Sequence, residues 1–127
     1  MAEGPEIDSV LYPKIEPYST GMLPVSDLHT IFWERAGNPD GQPVIVIHGG
    51  PGGGSQPGYR QYFDPAKFDI IQFDQRGCGK STPYAELTEN NTQNSVSDIE
   101  ALREHFGIDK WHVCLLYTST LPTKALV

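Results

Sequence analysis

The sequence predicts an α/β fold, and three observations carry that prediction. Val44-Ile45-Val46-Ile47 is a run of four β-branched residues with no polar interruption. Such a run suits a strand covered on both faces, as in a parallel sheet with helices on each side. It leads directly into His48 and the turn Gly49-Gly50-Pro51-Gly52-Gly53-Gly54. A second strand-like run, Phe68–Phe73, leads in the same way into Asp74-Gln75-Arg76-Gly77-Cys78-Gly79-Lys80-Ser81. The third observation is the order of elements: strand, turn, strand, turn, helix, strand.

The 127 residues are enough for one small domain with one core. A hydrophobic content of 38% with 20% charged residues is within reach of a globular protein, on the polar side. The net charge of −7 argues against a nucleic-acid partner, which calls for a basic face. The two cysteines, Cys78 and Cys114, show neither metal-ligand spacing nor a disulfide framework. With no signal peptide at the start, they favour a reducing, cytoplasmic location. The apolar runs are far too short to cross a membrane, so no membrane partner is expected.

Residues 1–10 are polar and acidic and are expected to be a flexible N-terminus. Two prolines keep Leu11–Pro17 irregular. Tyr18–Val25 has strand-like content but contains Gly21 and Pro24, whereas His29–Arg35 is a better strand, rich in aromatic and β-branched residues. Gly37-Asn38-Pro39-Asp40-Gly41 is a turn, because Pro sets φ and Asn and Asp bond their own backbone. Ser55–Tyr62 reads as a loop ending in a short helix, and Thr82–Asn91 is irregular and polar. One helix follows, with Thr92 as its expected N-cap. Val96, Ile99, Leu102, Arg103 and Phe106 lie near one face, with Asp98, Glu100 and Glu104 mostly off it. Gly107 stands where a C′ glycine ends a helix. Ile108–Val113 should enter the next strand.

The glycine-rich turn carries the chemistry. Glycine lets the backbone approach a ligand closely and opens positive φ. The backbone N–H groups of such a turn can hold a developing negative charge. Gly49 and Gly50 are therefore the candidate oxyanion-hole residues, against the plainer reading of a tight turn with no ligand. His48 could serve as a general base, but the favoured reading is a structural residue that orders the turn by hydrogen bonding. Arg76 could bind a carboxylate; the favoured reading is an ion pair joining the two turns, with Asp74 as its partner. Cys78 has no base near it in sequence and is expected to be a small buried residue. Trp33 and Trp111 are expected in the core.

A phosphate-binding reading of Gly77-Cys78-Gly79-Lys80-Ser81 fails on spacing. A P-loop needs a glycine at position 74, where this chain has Asp74, and a helix from Lys80, where Pro83 intervenes.

The two turns together carry a more specific signal. His48-Gly49-Gly50-Pro51-Gly52 with Asp74-Gln75-Arg76-Gly77-Cys78-Gly79 resembles the proline iminopeptidase (prolyl aminopeptidase) family of α/β-hydrolases. Leu11-Tyr12-Pro13, Ser26-Asp27-Leu28-His29, Gly37–Gly41 and Asp98–Arg103 match the same family, so the resemblance covers 11–113. It implies the N-terminal part of an α/β-hydrolase core: an antiparallel strand pair leading into a mostly parallel sheet. It also implies release of N-terminal proline from peptides by a Ser-His-Asp triad, with no metal and no cofactor. His48, Pro51, Gly52, Asp74, Gln75, Arg76 and Gly77 would shape the site. The alternatives are another α/β-hydrolase activity, an esterase or amidase, and a non-enzymatic binding module on the same fold.

The resemblance stops before the nucleophile elbow. Gly-x-Ser-x-Gly occurs nowhere in the sequence; Gly53-Gly54-Ser55-Gln56-Pro57 and Gly79-Lys80-Ser81-Thr82-Pro83 each end in Pro. Counting on from Val113 places the family's serine near Tyr117. Ser119 is close by, but it has no flanking glycines. The triad would lie beyond this chain, and the 127 residues are expected to be inactive. Residues 114–127 contain no glycine and begin Cys-Leu-Leu-Tyr-Thr-Ser, which resembles a translated sequencing adapter. They are read as a non-native tail, with a divergent natural C-terminus as the alternative.

Overall fold

The computed structural model describes residues 11–49, 54–115 and 124–126. Six strands form one sheet: β1 (Ser19–Pro24), β2 (Thr30–Gly37), β3 (Gln42–Ile47), β4 (Phe68–Phe73), β5 (His112–Leu115) and β6 (Lys124–Leu126). Their spatial order is β1-β2-β4-β3-β5-β6. The centre, β4-β3-β5, is parallel, and β1, β2 and β6 pair antiparallel at the flanks. The antiparallel pair leading into a parallel sheet is the architecture that the sequence predicts.

β3 is buried on both faces, because neighbours cover each of its alternating sides. Ile45 joins Ile31, Trp33, Ile71, Phe73, Leu102 and Trp111 in the larger core cluster, under the helix α1 (Thr92–His105). Val44 and Val46 face the other way, with Ile70 and Cys114. Among the described residues no α-helix covers that second face. Ile15 from the N-terminal segment, Tyr59 of a 3-10 helix (Pro57–Tyr62) and Phe63 cover it instead. A strand apolar on both faces needs cover on both, and it does not specify that the cover be helical.

β1 forms despite Gly21 and Pro24, and the glycine explains how it packs. Gly21 pairs with Trp33, and a Cβ at position 21 would stand 2.5 Å from the indole. The missing side chain lets Trp33 lie against the strand while Phe106 meets the ring edge-on at 4.8 Å.

The helix departs from expectation in three places. Asn91, not Thr92, is the N-cap; its side chain accepts the N–H of Asn94 at 2.9 Å. Asp98, assigned by periodicity to the outer side, is 2% exposed because a buried arginine meets it. Val96, assigned to the apolar face, is 56% exposed and borders an open groove between α1 and β5. The C-terminus follows the sequence rule. Gly107 has φ +67°, its N–H reaches the carbonyl of Glu104, and the N–H of Ile108 reaches that of Arg103. That pair of bonds is the Schellman stop, which glycine permits without steric cost.

The last central strand begins only at His112, near the end of the expected stretch Ile108–Val113. Trp111 is packed in the core ahead of it, and β5 pairs His112–Leu115 with Val44–Ile47. β5 therefore takes in Cys114 and Leu115, the first two residues of the segment 114–127. No helix among the described residues is long and apolar enough to cross a membrane.

Candidate active-site turns

β3 and β4 are parallel neighbours, so both chains leave the sheet at the same edge. In open α/β sheets this carboxyl edge is where ligands bind. His48 and Gly49 follow β3 there, and Asp74–Ser81 follows β4. Gly50, Pro51 and Gly52 lie outside the described residues, as does Ser119.

His48 is 1% exposed and bonded to the second turn. The backbone N–H of Gln75 donates to His48 Nε2 at 3.1 Å, and the Gln75 side-chain amide donates to the His48 carbonyl at 2.7 Å. An Nε2 that accepts leaves the ring proton on Nδ1, which lies 3.4 Å from the Gly49 carbonyl. Burial lowers the pKa of this imidazole, opposed by the Gly49 carbonyl and the negative charge of Asp74. His48 is thus held neutral with both nitrogens engaged inside the protein.

Asp74 is the centre of the second turn. One carboxylate oxygen accepts the N–H of Ser55 at 2.7 Å and the other that of Lys80 at 2.8 Å. Its own carbonyl accepts the Ser81 hydroxyl, whose oxygen in turn accepts the Phe32 N–H at 2.9 Å. Gly79, at φ +51°, lies directly against this carboxylate, where a Cβ would collide with it. Ser55, the residue after Gly54, is thereby tied to the end of β4. Ser81 is 1% exposed with its hydroxyl engaged, so it offers no nucleophile.

Arg76 does not pair with Asp74. Its guanidinium grips Asp98 of α1 in a two-pronged contact, at 2.7 and 2.9 Å, and donates to the Glu89 carbonyl at 2.6 Å. Both partners are at most 5% exposed. The pair ties the second turn to the helix rather than to the first turn. Asn90 closes the same region by donating to the Arg76 carbonyl at 2.8 Å. Gly77, at φ +77°, approaches the Glu86 carbonyl too closely for any side chain. Cys78 is half-buried, more open than expected.

Sequence reasoning missed a second polar cluster behind the turns. Arg60, 5% exposed, donates to Gln72 Oε1 at 2.8 Å, to the Ile15 carbonyl at 3.0 Å and to Glu34 at 3.0 Å. Gln72 donates to the Ser55 hydroxyl at 2.7 Å and the Gln56 carbonyl at 2.8 Å. The available signal was Gln72 itself, a polar residue inside the run Phe-Asp-Ile-Ile-Gln-Phe, because a buried amide needs partners.

The described residues therefore hold the root of a glycine turn at a sheet edge, anchored on both sides. Among the described residues no serine or cysteine side chain is hydrogen-bonded to a histidine ring, so they hold no nucleophile–base pair.

Comparison with known proteins follows the same outline. A family model described as the alpha/beta hydrolase fold matches residues 42–115, more than half of the chain. A proline iminopeptidase of Arabidopsis thaliana is 59% identical over 123 residues, covering 90% of this chain and 32% of the relative. One of Xanthomonas citri is 54% identical over 103 residues, covering 81% and 33%. The crystal structure of a Mycobacterium smegmatis proline iminopeptidase superposes with a TM-score of 0.58 at 30% identity, covering 75% of this chain and 34% of that one. The chain spans between about a third and two fifths of the length of the curated relatives it matches.

Proposed function

The chain belongs to the alpha/beta hydrolase family, and from that premise we propose that it is the N-terminal part of a proline iminopeptidase. The complete enzyme would release proline from the N-terminus of peptides by serine-based acyl transfer in the cytoplasm. What carries the reading is the identity to relatives of that name, above one half, across the segment holding both turns.

In this reading the nucleophilic serine, its histidine and its aspartate come from residues beyond β5. The serine attacks the carbonyl of the N-terminal prolyl residue. The carbonyl oxygen becomes an oxyanion, held by a backbone N–H of Gly49 or Gly50 and by the N–H after the serine. The amine leaves with a proton from the histidine, and water then releases proline from the acyl-enzyme. A neutral, fully bonded His48 serves this chemistry as part of the turn and not as its base. Residues 114–127 are read as a non-native tail, so the natural reading frame should continue into a Gly-x-Ser-x-Gly elbow.

The test is the complete gene product beside the 127-residue chain, both assayed on a prolyl-arylamide. The complete protein is expected to turn over and to be stopped by a serine-directed inhibitor. The 127 residues, which contain no Gly-x-Ser-x-Gly, are expected to fall short by about a million-fold, the scale of losing a whole triad. Turnover by the short chain that survives repurification and is blocked by the inhibitor would overturn the reading.

A further inference from the structure

We propose that the tip of the loop after β4, residues 84–89, is a docking surface inside the complete protein, where polypeptide following β5 covers Tyr84 and Leu87. The proposal rests on the reading above that these 127 residues begin a longer chain, and not on the substrate. Leu87 is 82% exposed and Tyr84 66%, more than any other large apolar side chain among the described residues. They do not sit on a slack connection. Ala85, at φ +61°, and Glu89, at φ +54°, are the only non-glycine residues with positive φ among those described, and they bracket Leu87. Such backbone persists only where its surroundings fix it, and it gathers at sites that grip something. Here the Ala85 N–H donates to the Gly77 carbonyl at 2.8 Å, and the Glu89 carbonyl accepts Arg76 at 2.6 Å and Asn94 at 2.8 Å. Between them, the Glu86 carbonyl accepts Asn90 at 3.0 Å and the Thr88 carbonyl accepts the ring of the fully buried His29 at 2.6 Å. The backbone of the tip is bonded inward at each of these points while Leu87 and Tyr84 are left in water.

The topology says what can cover them. β4, β3 and β5 are parallel, so the chain leaves β5 at the same sheet edge as the loop after β4. Asn90, which holds the Glu86 carbonyl, also lines the open groove between α1 and β5, as does Leu115 at the end of β5. The tip therefore borders a surface that begins where β5 ends. The chain spans between about a third and two fifths of its curated relatives, so the larger part of such a protein remains to be placed, and in the reading above it starts from that point. A second copy fits the tip less well. Glu86 and Glu89 flank Leu87, and a two-fold contact would set these carboxylates against their own equivalents in a chain of net charge −7.

The experiment uses the complete gene product carrying Leu87→Cys or Tyr84→Cys, with Asp40→Cys in the exposed turn between β2 and β3 as the open reference. The thiol that each substitution adds is followed against the parent with Ellman's reagent. Both tip thiols are expected to react about a hundredfold or more slowly than the reference, because the reagent reaches them only when the cover opens. Thiols that react as fast as the reference would overturn the proposal. So would protection that disappears on dilution, which would make the cover a second copy, or protection that needs added proline, which would make it a ligand. Leu87→Asp keeps the test readable where a cysteine variant fails to fold. A carboxylate under the cover should lower Tm by about 5 °C or more, whereas a Tm within about 1 °C of the parent would show the position open and overturn the proposal. Turnover of a prolyl-arylamide is measured alongside. Covered thiols in a protein without turnover would refute the proline reading and leave the docking surface standing; turnover with open thiols would do the reverse.

Discussion

The two turns leave neighbouring strands at one sheet edge, yet they are held in opposite ways. The turn after β4 is bonded within itself and to its surroundings: Asp74 takes the N–H of Lys80, Ser81 returns to the Asp74 carbonyl, and Arg76 locks onto Asp98. The turn after β3 is glycine-rich and is gripped at its ends by the other, at His48 through Gln75 and at Ser55 through Asp74. Two consecutive residues of β4's exit thus hold both ends of the turn after β3. One turn is a scaffold, and the other is the surface that the scaffold presents. A backbone that must come close to a reacting atom cannot carry its own side-chain braces, so the braces sit next door.

That contrast can be broken at its strongest point. Arg76→Met in the complete protein leaves the carboxylate of Asp98 buried beside an apolar side chain. Breaking a buried pair on one side costs about 3–5 kcal/mol, and the double variant Arg76→Met with Asp98→Leu should recover most of it. Denaturant unfolding of the three proteins measures this. If the single variant is as stable as the parent, the second turn is not anchored through α1.

A smaller effect is expected at Asp74. Two backbone N–H groups, from Ser55 and Lys80, need two acceptor oxygens. Asn at position 74 satisfies one and sets its own NH2 against the other. Leaving one buried donor unpaired costs about 1–3 kcal/mol. Asp74→Asn should therefore lower the unfolding free energy by that amount and lower kcat as well, because the far end of the glycine turn loosens. A loss of stability with kcat unchanged would show that the two ends of that turn act independently.

The smallest effect is one of pH. The folded protein holds His48 neutral with a lowered pKa, chiefly through burial, whereas in the unfolded chain it takes up a proton near its ordinary value of 6.5. Unfolding then absorbs a proton, so stability falls as the pH drops below about 6.5 and is unaffected by this group above it. His48→Gln, which keeps an acceptor near the Nε2 position and cannot titrate, should flatten the slope of unfolding free energy between pH 6.5 and 5. An unchanged slope would assign the acid sensitivity to other groups.

The parts of this arrangement legible in the sequence are those that local chemistry decides. Val44–Ile47 announces a doubly covered strand, and the glycines after it announce a close-approach turn. Gly107 marks the helix stop from its position alone. The pairing of Arg76 was not legible, because its partner Asp98 lies 22 residues on, and helical periodicity assigns a charged residue to the outside unless a buried opposite charge is known to wait for it. Val96 failed for the converse reason: an apolar residue at helical spacing faces inward only where something covers it. Arg60 looks like a surface residue until the 3-10 helix is laid against the sheet, and Gln72 inside its apolar run is the one hint that a buried partner waits there.

The placement of the two indoles has an optical consequence. Trp33 and Trp111, the only tryptophans of the chain, both sit in the cluster beneath α1. The opposite face, where Val44, Val46 and Ile70 meet Ile15, Tyr59 and Phe63, contains none. Intrinsic fluorescence of these residues is therefore a one-sided gauge. It follows the docking of α1 onto the sheet and stays dark to any loosening of the N-terminal segment and the 3-10 helix. A tryptophan placed at Phe63 would give the second face its own signal, and the order in which the two signals fade would tell which side of the sheet lets go first.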